Sequence, residues 1–160
     1  MFIIKFESGE VKVINASSLE GFDFSSASLH TAIFEGYVLR QANFESANLR
    51  SANFSNCVLD FSDLSNSLLM NANFLNASLI NCNLSNAKLM GAFFLGSNMI
   101  NANLSEADLF CVNFNNAKLS GANLSSSRIE TASFNQATYN RLTIWPDNFD
   151  PESKGALLIK

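Results

Sequence analysis

A five-residue period constrains the fold of this chain more than any other feature. From Ala27 to Tyr139 one large apolar residue recurs every five residues, with no insertion or deletion. We call these residues the centres; they include Phe54, Leu59, Leu64 and Leu69. Helices repeat at 3.6 residues and strands at 2, so neither explains a strict period of five. The period therefore predicts a repeat array in which each unit packs on its neighbours.

The position two residues before each centre holds a small residue, usually Ala. Ser or Cys replaces Ala at six of these positions, and only Tyr37 and Val112 are bulky. We expect both the centre and the small residue to be buried. Because close packing penalises even one extra methylene, the wall of the array is predicted to bulge at Tyr37 and Val112.

Phenylalanine recurs among the centres with a longer period of twenty residues. The members of this series are Phe34, Phe54, Phe74, Phe94, Phe114 and Phe134. Random placement among the centres would not produce such a series, whereas four units per turn would. We therefore predict that these rings stack in one column.

This pattern resembles the pentapeptide-repeat family over about four fifths of the chain. The resemblance implies an all-β fold, a right-handed quadrilateral parallel β-helix (solenoid) of about six to seven coils with capped ends. The predicted organisation is an N-terminal β-hairpin cap at 1–14, a pentapeptide-repeat β-helix at 15–144, and a C-terminal cap and tail at 145–160. The segment from Trp145 to Pro151 resembles a tail common in cyanobacterial members, with Asn148 in place of Gly.

Both ends of the array are predicted to be covered. Two short apolar runs flank Ser8-Gly9-Glu10 and indicate the hairpin, since an open β-helix end would expose unpaired backbone. A membrane anchor is the competing interpretation of this segment. At the other end, Trp145 and Phe149 are expected to fold over the last coil.

Asparagine is frequent where the units meet, at what we call the corner, the position two residues after each centre. Asn71, Asn76, Asn81 and Asn86 occupy successive corners. Asn tolerates left-handed backbone, so these residues are predicted to make the turns and to form hydrogen-bonded ladders with one another.

The middle of the repeat carries apolar residues at positions that should face outward. Met70, Met90 and Phe110 are predicted to share one side, Leu75, Leu95 and Phe93 the next, and Ile80 and Ile100 the third, whereas the fourth side stays polar. Lys88 is the only charged residue between Leu64 and Ser105. A contiguous apolar patch usually marks an interface, although isolated apolar residues are normal on surfaces. The candidate interaction surface, which we call the apolar belt, comprises Leu68, Met70, Leu75, Ile80, Met90, Phe93, Leu95, Ile100 and Phe110.

Composition and charge exclude several partners and compartments. The formal net charge of −4 disfavours nonspecific binding to nucleic acid or anionic membranes. No apolar run is long enough for a membrane span or a signal peptide, so a cytoplasmic location is expected. Cys57 and Cys82 occupy small-residue positions and Cys111 should face outward. The odd number of cysteines and the lack of a Cys-x-x-Cys motif argue against a disulfide framework and a zinc site.

No catalytic constellation is found in the sequence. The only histidine, His30, is predicted to be solvated surface, and the carboxylates are scattered. We therefore expect no enzyme activity, no cofactor, no metal and no small-molecule substrate.

Three functions remain open at this point. The first is a non-enzymatic scaffold or protein-interaction module that binds a protein partner or a second copy through the apolar belt. The second is a DNA-mimicking topoisomerase (gyrase)-binding protein of the quinolone-resistance type, as the family resemblance allows. That function needs acidic rows, and the middle third of this chain is almost uncharged. The third is ice or surface binding through the flat Asn/Ser side.

Overall fold

The protein is described over residues 1–160 by a computed structural model, which contains short strands and no α-helix. The named strands are β1 (Phe2–Phe6), β2 (Val11–Ile14), β3 (Ala32–Ile33), β4 (Thr138–Tyr139) and β5 (Leu157–Leu158). Two 3-10 turns span Ile129–Thr131 and Glu152–Lys154. No helix is long and apolar enough to cross a bilayer.

Single parallel bridges, rather than long strands, connect the repeats. Asn53 pairs with Asn73, and Asn73 pairs in turn with Phe93, each step advancing the chain by twenty residues. The same spacing recurs from Asp23 onward, so the backbone returns to the same side after every four units. The chain is therefore a β-helix, and its ladder bonds join adjacent coils.

The centres fill the interior as four columns of stacked side chains. Each is at most 8% exposed, and most are fully buried. The first column is Phe24, Phe44, Leu64, Leu84, Leu104 and Leu124; the second is Leu29, Leu49, Leu69, Leu89, Leu109 and Ile129; the third is Phe34, Phe54, Phe74, Phe94, Phe114 and Phe134; the fourth is Leu39, Leu59, Leu79, Met99, Leu119 and Tyr139.

The predicted phenylalanine stack is confirmed in the third column. Consecutive ring centroids lie 4.6 to 5.3 Å apart, and the ring planes are inclined by at most 15°. The first column contains a second, shorter stack, in which the ring centroids of Phe24 and Phe44 lie 4.8 Å apart.

Every corner from Gly21 to Gly121 has left-handed backbone. Asn71, for example, has φ of 57° and Asn76 has φ of 54°, as predicted for the turn residues. The predicted ladder between corner asparagines is wrong, because the asparagine side chains that hydrogen-bond to one another between coils are those just before the centres. Asn73 Nδ2 donates to Asn53 Oδ1 at 3.4 Å, and Asn73 Oδ1 accepts from the Leu75 N–H at 3.0 Å.

The expected bulges at the two bulky small-residue positions are absent. Val112 is buried, its N–H donates to the Leu109 carbonyl at 3.2 Å, and its carbonyl accepts from Ser133 at 3.0 Å. Tyr37 is in the first coils, where the hairpin replaces a preceding coil. Its hydroxyl donates to the Ile3 carbonyl at 2.8 Å, so the ring anchors the hairpin instead of distorting the wall.

The backbone departs from the repeat near the C-terminal end, although the centres keep their spacing. Ser127 rather than Arg128 pairs with Asp108, and Arg128 adopts a left-handed conformation at φ of 56°. The Cys111 N–H donates to Thr131 Oγ1 at 2.9 Å, whereas the equivalent Gly91 N–H donates to the Phe110 carbonyl.

Additional elements cover both ends of the array. β1 pairs antiparallel with β2 and with β3, and buries Ile4. At the other end, the rings of Trp145 and Phe149 lie edge-on to Phe134, with centroids 5.4 and 5.7 Å away. Asn148 has φ of 63°, the left-handed conformation that a glycine would adopt there.

Candidate interaction surface

The unit itself determines which belt residues face outward. The residues immediately before and after a centre flank an inward side chain, and successive side chains in extended backbone point to opposite faces. Leu68 and Phe93 precede a centre. The other seven belt residues each follow one.

Three belt residues are exposed and six are half-buried. Phe93 is 48% exposed, Met90 39% and Leu95 36%. The half-buried members are Leu68, Met70, Leu75, Ile80, Ile100 and Phe110. The belt therefore has its most prominent part around Phe93.

The backbone of Phe93 is rigidly held. Its N–H donates to the Ala72 carbonyl at 3.0 Å, and its carbonyl accepts from the Phe74 N–H at 2.7 Å. Gly91, at the corner before Phe93, has φ of 69°, and an added Cβ there would lie 2.5 Å from Asn71 Oδ1. The large ring thus projects from a ladder position beside a corner that carries no side chain.

A shallow depression of about 430 Å³ lies beside this ring, on the surface outside the third column. Phe93 and Leu95 border it, the Asn53 and Asn73 amides line it, and Glu7 of the hairpin region also contributes. The depression is open to solvent and combines apolar groups with amide donors, so it suits an extended or protruding group rather than an enclosed ligand.

Phe110 differs from the other belt residues because a charged group covers it. The Arg128 guanidinium carbon lies 4.7 Å from the centre of the Phe110 ring. Arg128 also forms a two-point ion pair with Asp108, in which Nε donates to Oδ1 at 2.8 Å. Burial raises the pKa of Asp108, but hydrogen bonds from Arg128 and the Phe110 N–H and attraction to Arg128 lower it by more, so its pKa lies below the ordinary value.

The structure adds Phe61, which sequence reasoning missed, to the exposed apolar residues. Phe61 is 57% exposed and occupies a corner at φ of 61°, a conformation that is rare for a bulky residue. Its N–H donates to the Ile80 carbonyl at 2.9 Å, which places it beside the belt. The sequence did carry a signal for this exposed residue, namely a large aromatic residue at a corner position.

The surface outside the first column is polar, and its side chains are connected from coil to coil. Asn103 Nδ2 donates to Asn83 Oδ1 at 3.4 Å, and Asn83 Nδ2 donates to Asp63 Oδ1 at 3.2 Å. These side chains also accept from backbone N–H groups two residues ahead, as in the bond from Ser85 to Asn83. Because the amides are already engaged, this side offers fewer free donors than its composition suggests.

The titratable and thiol groups are dispersed. Cys57 and Cys82 are buried, and burial raises the pKa of each thiol to about 12. Cys111 and His30 are exposed on the surface. No group of three or more His, Cys, Asp or Glu side chains is placed to hold a metal ion.

Twenty-residue coils, stacked centres and left-handed corners together define a β-helical repeat protein. Two family models match the sequence, one for a pentapeptide repeat region at residues 27–98 and one for pentapeptide repeats (8 copies) at residues 94–125. The chain belongs to the pentapeptide-repeat family and is a right-handed β-helix.

Solved structures of other repeat proteins are similar to this one. A pentapeptide repeat protein from the Arabidopsis thaliana thylakoid lumen is 38% identical, with a TM-score of 0.58, over 59% of this chain and 66% of that chain. The match thus spans just under two thirds of the Arabidopsis chain.

Two further structures match at lower identity. Rfr23, a pentapeptide repeat protein from the cyanobacterium Cyanothece 51142, is 22% identical, with a TM-score of 0.48, over 78% of this chain and 88% of that chain. Full-length QnrB1, a plasmid-mediated fluoroquinolone resistance protein, is 18% identical, with a TM-score of 0.41, over 86% of this chain and 79% of that chain. A comparison with curated protein sequences gives no match.

Proposed function

We propose that the protein is a non-enzymatic scaffold that binds a protein partner, or a second copy of itself, through the apolar belt. The observation that carries this proposal is the exposure of Phe93, Met90 and Leu95 on a backbone fixed by ladder hydrogen bonds. Large exposed apolar groups that adjoin one another on a soluble protein usually mark an interaction site.

The rigidity of Phe93 makes it the expected anchor of the interface. Interface hot spots are rich in large side chains that fill a pocket on the partner, and binding costs less when they are already ordered. Phe93 suits this role, since its large ring is exposed and its backbone is hydrogen-bonded on both sides.

The charge distribution favours the same surface. Interface cores are depleted in charged residues, and Lys88 is the only charged residue between Leu64 and Ser105. Association through this region would therefore leave few charges to desolvate.

We further infer that the β-helix is four-sided, with six to seven coils at residues 15–144 and with caps at 1–14 and 145–160. The support is that bridges recur at four positions in each twenty residues. The inferred compartment is the cytoplasm, and its support is the three free cysteines, which are typical of reducing compartments.

The gyrase-binding alternative has weaker support from the surface. DNA mimicry requires free acidic groups along the rod, but Asp60, Asp63 and Asp108 are each engaged in hydrogen bonds. A supercoiling assay with and without a quinolone tests this alternative, and protection of gyrase by the protein would replace the scaffold proposal.

The apolar belt is tested with the double variant Phe93→Lys and Leu95→Lys. Both side chains are exposed, so the fold should be retained and association should be lost. The matched control is Ser85→Lys with Ser105→Lys on the polar side. Light scattering gives the solution mass, and any partner captured from the native organism is identified, purified and titrated against each variant. Unchanged mass and unchanged affinity in the belt variant would overturn the proposal.

A further inference from the structure

The outer edge of β5 is an unpaired strand edge at the C-terminal end of the β-helix. β5 pairs in parallel with β4 and has no strand on its other side. The Leu157 N–H donates to the Ala137 carbonyl at 2.7 Å, and the Ile159 N–H donates to the Tyr139 carbonyl at 2.8 Å. Backbone groups alternate sides along a strand, so the Leu158 N–H and carbonyl point away from β4.

The side chains around this edge are apolar and exposed. Leu142 is 73% exposed and Leu158 is 49% exposed, and Leu157 and Ile159 are also exposed. Exposed apolar edge strands readily pair with other chains, and proteins normally cover or charge them. The N-terminal end shows the contrast, since β1 there covers the edge of β3.

A concave site shares Leu158 with the edge, and its charged side chains are both basic. Its volume is about 520 Å³, and Leu142, Leu158 and Ile159 supply its apolar wall. Arg141 and Lys160 line the same cavity, with no acidic side chain among the lining residues. A group that fills this cavity should therefore be apolar with an adjacent carboxylate.

We propose that the β5 edge is a β-augmentation site for an extended segment of a partner protein that alternates apolar residues and carries an acidic side chain. The partner strand pairs its backbone with Leu158, places apolar side chains against Leu142 and Ile159, and sets its carboxylate against Arg141 and Lys160. Main-chain pairing supplies affinity and the side-chain pocket supplies selectivity, as in other strand-addition complexes. This site is separate from the apolar belt, and the proposal does not depend on the belt.

The experiment uses the full chain and a fluorescein-labelled extended heptapeptide, Glu-Val-Thr-Val-Thr-Val-Glu. We expect saturable binding by fluorescence anisotropy, and slower hydrogen exchange of the Leu158 amide when the peptide is bound. Leu158→Pro removes the outward N–H, while the bonds from Leu157 and Ile159 to β4 can persist. It should weaken binding about tenfold, as expected for the loss of main-chain hydrogen bonds.

Further controls distinguish backbone pairing with β5 from nonspecific apolar binding. Arg141→Glu should weaken binding of the acidic peptide and strengthen binding of a version with Lys in place of both Glu residues. Lys12→Glu on β2 should change the affinity for neither peptide. A peptide methylated at alternate backbone nitrogens tests the pairing without any change in the protein, and it should not bind.

Three results would overturn the proposal. The first is no saturable binding of the acidic heptapeptide, and the second is equal binding of the methylated peptide. The third is a stable dimer in light scattering that Leu158→Pro dissociates, because a second copy would then occupy the edge.

Discussion

Phe74 lies between Phe54 and Phe94 in the third column, with ring centroids 5.1 and 4.6 Å away. The residue is fully buried, and the ladder bonds of adjacent coils keep the surrounding backbone from collapsing. Phe74→Ala is therefore expected to lower the free energy of unfolding by about 3–5 kcal/mol, because it leaves a cavity. Guanidinium unfolding followed by circular dichroism measures this loss.

Phe74→Leu serves as the matched control, since leucine is the commonest residue in the other three columns. It should cost clearly less than the alanine variant, because the leucine side chain leaves a smaller cavity. Equal losses for the two variants would show that cavity volume does not control stability at this position.

Phe61 illustrates the opposite situation, an exposed ring on an unfavourable backbone. Left-handed conformation costs roughly 1–2 kcal/mol for residues with a Cβ, and Asn tolerates it better than Phe. Because Phe61 is 57% exposed, its replacement loses little burial. Phe61→Asn is therefore expected to raise the free energy of unfolding by about 0.5–1 kcal/mol in the same assay.

Phe93→Asn is the control for this stabilisation. Phe93 is similarly exposed, but its backbone is in the extended ladder and not at a corner. Phe93→Asn should therefore give no gain in the free energy of unfolding. A gain at Phe93 as large as that at Phe61 would assign the effect to loss of the ring and not to relief of backbone strain.

At the scale of elements, the turn after Ser126 is held by side chains instead of by the regular ladder. Thr131 Oγ1 accepts from the Cys111 N–H and donates to the Arg128 carbonyl at 2.8 Å. Lys154 Nζ donates to the Glu130 carbonyl at 2.7 Å, which ties the C-terminal segment to the turn. The Arg128–Asp108 ion pair completes this local network.

The ion pair makes the stability of this turn depend on pH. The pKa of Asp108 is lower in the folded protein than its ordinary value of 3.8, so folding favours the ionised carboxylate. This contribution is present above the ordinary pKa and is lost as pH falls through the folded value. We expect the stability difference between the wild type and Asp108→Asn to be constant above about pH 5 and to shrink at lower pH.

Unfolding curves for both proteins between about pH 2.5 and 7 check this expectation. Asp147→Asn provides a control, because Asp147 is exposed and forms no ion pair. A difference between the wild type and Asp108→Asn that is independent of pH would show that the carboxylate charge does not stabilise the turn.

At the scale of the whole molecule, stability should vary along the axis. Each coil forms ladder bonds with adjacent coils, and such arrays behave as nearly one-dimensional chains of coupled units. Trp145 is the only tryptophan and lies against Phe134 in the last coil, so its fluorescence reports on one end.

Phe134→Ala should therefore shift the fluorescence transition to lower denaturant more than the circular dichroism transition. Phe74→Ala, in the middle of the column, should shift both transitions together. Coincident shifts in both variants would show that the array unfolds as one unit without fraying of its end.

The five-residue period allowed several features to be predicted before the structure was known. The inward centres repeat in every unit, the left-handed corners repeat in every unit from Gly21 to Gly121, and the phenylalanine column repeats once in every coil. Each is therefore determined by local spacing and by equivalent neighbours in adjacent coils. Most of the fold, and the outward positions of the belt residues, follow from this repetition.

Other features required the tertiary structure, because they depend on contacts that the period does not contain. Tyr37 anchors the hairpin through Ile3, which is 34 residues away, so a bulge was wrongly expected there. The turn at Ser126–Thr131 changes its backbone bonds without changing the spacing of the centres, so the sequence pattern conceals it.

The sequence by itself determined that this chain is a β-helix with a continuous core, because a strict repeat of large and small residues turns the same side chains inward in every unit and stacks them on those of the neighbouring units. Only the tertiary structure decided how exposed each belt residue is, which groups cover Phe110, and that β5 presents an open edge. Those properties belong to the surface and the ends, where each residue's surroundings are set by distant, non-repeating parts of the chain.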